Sequence, residues 1–237
     1  MRSCLTLTAT GPFADAPGDS TVDGLEPDDL YEERGDVSWS RPIFQGDVFD
    51  RIPLADFDDK PHLVQVLTHP CSMRRGAKLT ERVQVAPVST CRPEKDWGKR
   101  FKVMPLPNLR ESEDCYCADF TKSTSVRTSR LQLGLRVATL SHSGIYVLQR
   151  RLVHYMTRVQ VPREDFIKQA RPNIHELELQ TEWMDNYLGD REPTVELVNE
   201  GEQAFHRWLE DTGRERLDDE AQHAQMRRDL REHWARD

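Results

Sequence analysis

The run HLVQVLTH, residues 62–69, constrains the fold more than any other stretch of this chain. Leu63 and Leu67 alternate with Val64 and Val66, so apolar side chains occupy both faces of the predicted strand. A strand with two apolar faces must be covered on both sides, which is typical of a central strand in a layered fold. The rest of the chain therefore has to supply two layers of cover.

Further short β-rich runs lie near this strand, and turn residues separate them. They are VSWSRPIFQGDVFDRIPL from Val37, then RVQVAPV, KRFKVMPLP and DCYCADFTKSTSV. Short strands divided by Gly, Pro and Asp are typical of small antiparallel barrels or sandwiches. We predict a β-barrel domain over residues 37–126, in an α+β fold whose small antiparallel barrel is followed by amphipathic helices; the family resemblance described below implies that this barrel is SH3-like.

Helical periodicity begins near Thr128. TSRLQLGLRVATLS predicts a short helix, and SHSGIYVLQRRLVHYMTRV predicts a longer one that starts at a Ser141 or Ser143 cap. One face of the longer helix is apolar and the opposite face is basic. The apolar residues are Ile145, Leu148, Leu152, Tyr155, Met156 and Val159. We predict that residues 127–163 form a basic helical segment packed on the barrel.

Both ends of the chain are acidic. Residues 1–36 combine Gly, Pro, Asp and Glu with few apolar side chains, which predicts a disordered tail. Residues 164–237 predict an acidic helical extension, with a cap at Thr194 and a stop at Gly213. Its apolar stripes in helices 174–188 and 195–209 could complete the core, cover the basic surface or bind a partner protein.

The middle of the chain is strongly basic. Residues 74–163 hold 18 basic and 7 acidic side chains, whereas residues 164–237 hold 10 and 20. This asymmetry indicates either an anionic partner or shielding of the middle by the ends. Basic side chains interleaved with aromatic ones are typical of nucleic-acid binding. The candidate binding residues are Arg74, Arg75, Lys78, Arg82, Trp97, Lys99, Arg100, Lys102, Arg150, Arg151 and Arg158.

RGDVSW at 34–39 resembles the opening strand of PemK/MazF-like toxins. That family has an SH3-like barrel and cleaves RNA, and its opening strand is followed by a Lys-x-Arg-Pro segment with a catalytic arginine. Arg41-Pro42 stands in that place here, without the lysine. The resemblance implies Arg41 as a catalytic candidate.

Five other segments resemble an uncharacterised bacterial group. They are QGDVF, VLTHPCS, ADFTKSTSV, RVATLS and LQRRLVHYMTR, within residues 41–163. Members of that group have a Gly-Asp-apolar strand, a strand that ends near Cys-Asp (here Cys71-Ser72), and an Asp-Phe segment that leads into helices. The resemblance implies a barrel with helices and a setting in bacterial stress or phage defence, such as a toxin–antitoxin system. It implies no chemistry.

His69 and Cys71 are candidates for nucleophilic chemistry. Two residues apart on a regular strand, they would share a face, and Arg74 is placed to lower the pKa of the thiol. Pro70 disturbs the strand between them. The alternative, which we favour, is that Cys71 is a small buried residue at the end of a core strand. The catalytic candidates are Arg41, His69, Cys71 and Arg74.

The candidate metal ligands are His69, Cys71, Cys91, Cys115 and Cys117. CYC would place Cys115 and Cys117 on one strand face. The chain has no CxxC pair, however, and structural zinc usually has closely spaced ligand pairs. We therefore expect thiols packed in a β core, with zinc as the less favoured alternative and no other cofactor.

The sequence predicts a cytoplasmic protein without a membrane partner. No run approaches the ~20 apolar residues that cross a bilayer, and the N-terminus lacks a signal-peptide pattern. Five cysteines, an odd number, argue against a secreted disulfide framework.

Three hypotheses about function follow. The first is a non-enzymatic binding or accessory protein whose basic middle engages nucleic acid or an anionic protein. The second is a metal-independent endoribonuclease in which Arg41 stabilises the phosphorane and His69 or Arg74 assists. The third is a zinc-stabilised subunit of a larger assembly.

Overall fold

The computed structural model describes residues 27–35, 37–54, 57, 60–75, 78–92, 97, 100–110, 114–159 and 163–235. The strands are β1 (Tyr31–Arg34), β2 (Val48–Pro53), β3 (Pro61–Val66), β4 (Arg74–Arg75), β5 (Lys78–Leu79), β6 (Arg82–Cys91), β7 (Val103–Pro107), β8 (Cys115–Asp119), β9 (Thr124–Arg127) and β10 (Leu135–Leu140). The α-helices are α1 (Pro70–Met73), α2 (Thr128–Gln132), α3 (His142–Thr157), α4 (Arg163–Leu188), α5 (Val195–Thr212) and α6 (His223–Trp234).

Eight strands form one antiparallel sheet, in the order β1-β10-β2-β3-β6-β8-β7, with β9 also paired to β6. Within the described residues the backbone ladder does not join β1 to β7, so the sheet is not closed. Side chains bridge these two edge strands. Tyr31 donates its hydroxyl to the Pro107 carbonyl at 2.8 Å, and Arg34 donates to the Asn108 carbonyl at 2.7 Å. The α+β class is confirmed, and a closed SH3-like barrel is not.

Strand β3 is covered on both faces, as its sequence predicts. Leu63 and Leu67 belong to a core that includes residues of α3, such as Leu148. Val64 and Val66 belong to a second core on the opposite face of the sheet. Burial of apolar area on both sides explains the apolar residues of β3, and the buried Gln65 donates its amide to the Gly46 carbonyl at 3.3 Å.

The prediction of a disordered tail up to residue 36 is wrong for its last part. Residues 1–26 and 36 lie outside the described residues, but Tyr31–Arg34 forms edge strand β1, paired with β10. Leu30 and Tyr31 are buried in the first core. Two buried apolar side chains beside the Glu32-Glu33 pair are enough to join this acidic segment to the sheet.

The helix predicted for TSRLQLGLRVATLS is wrong in its second half. Helix α2 ends at Gln132, and Leu135–Leu140 forms β10 between β1 and β2. Val137 and Thr139 are β-branched, and Gly134 interrupts the helix before them. Burial of β10 on both sides therefore outweighs the helical pattern, and the sheet extends beyond residues 37–126.

The caps of the long helices are where the sequence predicts them. The Ser141 hydroxyl accepts from the Gly144 N–H at 3.2 Å at the start of α3. The Thr194 hydroxyl accepts from the Leu197 N–H at 3.2 Å at the start of α5. Gly213 ends α5 with a φ of 102°, a left-handed conformation that favours glycine.

The C-terminal helices have a hydrophobic core of their own. Met184 and Leu188 of α4 pack with Phe205 and Leu209 of α5, and α6 adds Leu230. The predicted apolar stripes therefore pack largely against each other, which leaves these side chains unavailable to a partner. Partner binding by helices 174–188 and 195–209 stays a prediction that would have to use their polar faces. Of the helices in the described ranges, none is both long and apolar enough for a bilayer crossing.

Candidate functional site

Three of the predicted binding residues are buried. Arg150, Arg151 and Trp97 are 6%, 2% and 4% exposed. The prediction that Arg150 and Arg151 lie on a solvent-facing basic side of α3 is therefore wrong, because α3 packs this side against the segment before β7. Arg150 donates to the Tyr146 hydroxyl at 2.9 Å. Trp97 is too deeply buried to stack on a nucleic-acid base.

Arg151 holds the backbone of the 97–103 segment. Its guanidinium donates to the carbonyl oxygens of Val103, Trp97 and Arg100 at 2.8, 2.9 and 2.8 Å. One planar cation thus donates to three acceptors, two of which also accept from the N–H groups of Arg100 and Val103. The role of Arg151 is to shape the surface above it.

Arg74 pairs with the acidic extension. Its guanidinium donates to both carboxylate oxygens of Glu202 on α5 at 3.3 and 3.1 Å, and both side chains are largely buried. The structure therefore shows that α5 covers Arg74, one residue of the predicted basic surface. The side chains of Arg75 and Lys78, and the whole of Lys99, lie outside the described residues.

Arg100, Phe101, Lys102 and Arg158 form a surface cluster that we call the basic patch. Arg100, Lys102 and Arg158 are exposed, and Phe101 is half-buried. The Arg158 guanidinium lies 4.4 Å from the centre of the Phe101 ring, and His154 contacts the same ring edge to face. Arg158 has a φ of 62° at the C-terminal cap of α3, a conformation that turns the chain there. The fold thus joins two basic segments that are over fifty residues apart in sequence.

A groove with both polar and apolar lining residues lies along α3. It has a volume of about 640 Å³, and α3 lines it through Gln149, Leu152 and Val153. Its remaining polar lining residues are Gln45, Thr68, His69, Ser72, Arg82, Gln84, Ser125 and Gln169. Val153 lines the groove and His154 contacts Phe101 of the basic patch, so α3 contributes residues to both features.

Arg82 is the predicted binding residue that lies in this groove. Its side chain is exposed and donates to the Ser125 hydroxyl at 3.0 Å and the Ser125 carbonyl at 2.6 Å. These two bonds fix the guanidinium on the rim while its charge remains accessible.

The prediction of a buried Cys71 on a strand is wrong. The strand ends at Val66, Pro70–Met73 forms the short helix α1, and Cys71 is exposed. His69 caps that helix, and its Nδ1 accepts from the Cys71 N–H at 3.3 Å. Proline at the first helical position favours this turn. The imidazole therefore bonds the backbone of Cys71, while the Cys71 thiol donates to the Asn173 Oδ1 at 3.2 Å.

Arg41 is not placed with the other catalytic candidates. It is 8% exposed and lines a cavity of about 60 Å³ with Phe49 and Glu202. Cys71 and Arg74 line a different cavity of about 350 Å³. The Arg41 carbonyl accepts from Arg136 at 2.7 Å, and its Nε has no hydrogen-bond partner in the described part of the chain.

The sequence did not reveal a set of buried charges between the sheet and the helices. Asp47 is 1% exposed, accepts from the Phe44 N–H at 2.9 Å and lies 3.6 Å from Arg136. Burial raises the pKa of Asp47, and Arg136 opposes that shift. In the sequence, Gly46-Asp47 indicates a turn and gives no sign of a buried carboxylate.

A second ion pair, between Glu176 of α4 and Arg214, lies among the C-terminal helices beside His206 of α5. Glu176 accepts two bonds from Arg214 at 2.7 Å, and its carboxylate lies 4.0 Å from His206 Nδ1. Burial, together with the charges of Arg74 and Arg214, lowers the pKa of His206 to about 3. His206 is therefore neutral at pH 7. A histidine inside an amphipathic helix pattern gives no sequence signal of this environment.

Three cysteines come together at one end of β6 and β8. Cys91, Cys115 and Cys117 have sulfur atoms within 4.8 Å of one another, an arrangement that could hold a metal ion. Cys91 and Cys117 form a disulfide, and Cys115 is a free thiol whose pKa burial raises. The placement of Cys115 and Cys117 on one strand face is confirmed. His69 and Cys71 are not part of this cluster.

No protein-family model matches the sequence, and no curated protein is significantly similar to it. The resemblances to PemK/MazF-like toxins and to the uncharacterised bacterial group therefore stay predictions.

Proposed function

We propose that this chain is a binding protein whose basic patch engages single-stranded nucleic acid. The contact of Arg158 with Phe101 carries this proposal, because it brings an exposed cation over an aromatic ring whose two neighbours in sequence, Arg100 and Lys102, are also exposed cations. Basic and aromatic side chains in one surface cluster are suited to a phosphate backbone and to splayed bases. The resemblance to PemK/MazF-like toxins and to the uncharacterised bacterial group supports a setting in bacterial stress or phage defence.

The patch is suited to this role because its cations are held in place. Phe101 and the helix cap fix Arg158, and Arg151 fixes the backbone of Arg100 from below. An ordered guanidinium loses less side-chain entropy when it binds a phosphate or stacks on a base. The groove along α3 contains hydroxyl, amide and imidazole groups, and the exposed Arg82 adds positive charge to it.

Binding should depend on Arg158. We expect Arg158→Ala to weaken binding of labelled single-stranded RNA about tenfold, equivalent to ~1.4 kcal/mol. The slope of log affinity against log salt should fall by about 1. Fluorescence anisotropy over a salt series measures both. Arg207→Ala is the matched control, because Arg207 is an exposed arginine on α5 in the acidic extension.

Equal affinities for Arg158→Ala and Arg207→Ala, or no RNA binding at low salt, would show that the patch is not the interface. Binding of an acidic protein without binding of RNA or DNA would assign the patch to an anionic protein partner. The same samples run on a denaturing gel test the ribonuclease hypothesis, since cleavage that is lost in Arg41→Ala would replace binding with catalysis.

A zinc-stabilised subunit is the second candidate function, and the three-cysteine cluster is the observation that favours it. Thiolates are the ligands that structural zinc prefers. We expect protein purified with a reducing agent to retain about one zinc per chain, and chelation to lower its melting temperature. Elemental analysis and thermal denaturation with and without chelator measure these quantities. A metal-free reduced protein whose melting temperature ignores chelator would contradict this function.

A further inference from the structure

The three sulfur atoms of the cysteine cluster can serve in either of two forms. In the oxidised form two of them share a disulfide, and in the metal form all three bind a metal ion. Cys91 is the register partner of Cys115, and Cys117 lies two residues further along β8. The Sγ atoms of Cys91 and Cys115 are 3.4 Å apart, while Cys91 is bonded to Cys117. A sulfur in a disulfide has no thiolate charge to offer a metal. The two forms therefore exclude each other.

We propose that this cluster is a redox-gated site for a soft divalent cation such as zinc, which binds the three reduced thiols and which the Cys91–Cys117 disulfide excludes. The proposal rests on the zinc function above and adds its regulation. A dithiol reductant would give two electrons and two protons to the Cys91–Cys117 bond and itself become a disulfide. Zinc would then displace the thiol protons, up to one per cysteine.

The change between the disulfide and the metal form requires only side-chain movement, because the paired strands β6 and β8 already hold the three cysteines together. Sulfurs that share a tetrahedral zinc at ~2.3 Å lie ~3.8 Å apart, close to the spacing already present between Cys91 and Cys115. The Cα atoms of Cys91 and Cys117 are 6.0 Å apart, so rotation of the side chains can separate their sulfurs after reduction. Cys91 and Cys115 are half-buried, which leaves the cluster accessible to a reductant and to a metal ion.

Cys115 has a role in both forms. In the metal form it is the third ligand, and a fourth position remains for water. In the oxidised form its thiolate can attack Cys91 Sγ, which forms a Cys91–Cys115 bond and releases Cys117 as a thiolate. This exchange needs no external oxidant.

The test uses full-length protein with Cys4→Ser and Cys71→Ser as background substitutions, because Cys71 lies outside the cluster. Zinc is the probe for stoichiometry, and cobalt is the probe for thiolate ligation through its charge-transfer absorption. We expect about one zinc per reduced chain and at least about a tenfold loss of bound zinc after oxidation with a small disulfide. A dithiol should restore binding. Cys115→Ser should weaken zinc binding at least about tenfold in the reduced protein.

The outcomes separate the two proposals. No zinc on the reduced protein would overturn both the zinc function and its gating. Zinc retained equally after oxidation, with the Cys91–Cys117 disulfide mapped by mass spectrometry, would overturn the gating alone. Unchanged affinity in Cys115→Ser would overturn the three-thiol ligand set. Loss of zinc on oxidation with return on reduction supports the proposal.

Discussion

Replacing Arg151 by methionine should lower the free energy of unfolding by about 2–4 kcal/mol, because three hydrogen bonds from one buried guanidinium are lost at once. The acceptors are the carbonyls of Trp97, Arg100 and Val103. A hydrogen bond to a charged group contributes about 1.5–3 kcal/mol. The sum is smaller here because the Trp97 and Arg100 carbonyls also accept from the N–H groups of Arg100 and Val103. Methionine keeps most of the side-chain volume, so the change isolates the polar loss.

Urea denaturation of wild type and variant measures this effect, with the midpoint and the slope fitted separately. Arg158→Met is the matched control, because it is the same substitution on an exposed residue at the end of the same helix. We expect the control to change stability by less than about 1 kcal/mol. Arg151→Lys should fall between the two, since one ammonium cannot reproduce the planar fork. Equal destabilisation by Arg151→Met and Arg158→Met would refute the structural role of Arg151.

The same experiment connects fold and function. Arg151 fixes the backbone that carries Arg100 and Lys102, so its loss should also weaken RNA binding at temperatures where the variant remains folded. Arg158→Met should weaken RNA binding with little effect on stability. If Arg151→Met lowers both stability and RNA binding while Arg158→Met lowers RNA binding alone, Arg151 supports the basic patch and Arg158 contacts the RNA.

The sequence predicted the elements whose patterns are local. The two-faced strand β3, the caps at Ser141 and Thr194 and the stop at Gly213 depend on residues within one or two turns, and the structure confirms them. Strand β10 was missed because its helical periodicity is overridden by two neighbouring strands that are distant in sequence.

The sequence predicted which residue types the candidate site contains, but not which of them the fold exposes or pairs. Exposed arginines and buried ones look alike in a basic segment, and only packing separates Arg158 from Arg151. Likewise Glu202 reads as one acid among many in the C-terminal extension, although it is a buried partner of Arg74. Long-range pairing of this kind leaves no periodic signal for a sequence to show.

Acid should destabilise this protein through His206, and the effect should disappear when His206 is replaced. Burial and the charges of Arg74 and Arg214 lower the pKa of His206 from 6.5 to about 3, although Glu176 lies 4.0 Å away and Glu202 is nearby on the same helix. Between pH 6.5 and about 3, His206 is therefore protonated in the unfolded chain and neutral in the folded protein. Stability from this group is complete above pH 6.5 and falls as the pH drops towards 3.

The expected size follows from linkage. Each pH unit below 6.5 lowers the free energy of unfolding by about 1.4 kcal/mol, so the loss should reach about 2.7 kcal/mol at pH 4.5. His206→Leu removes the titration without adding an unpaired polar group, and His206→Gln removes it while keeping one. Urea denaturation of all three proteins at several pH values between 7.5 and 4.5 measures the difference.

Both variants should lose less stability than wild type over that pH range, by the same amount. Their absolute stabilities at pH 7.5 should differ, because glutamine buries amide groups where leucine buries hydrocarbon. Agreement of the two pH slopes, despite different starting stabilities, would assign the wild-type loss to protonation of His206 rather than to packing. Parallel curves for all three proteins would mean that the His206 imidazole becomes protonated without unfolding. In that case the neighbouring carboxylate of Glu176 compensates the two arginines, and the ion pairs between α4, α5 and the segment after α5 tolerate the added charge.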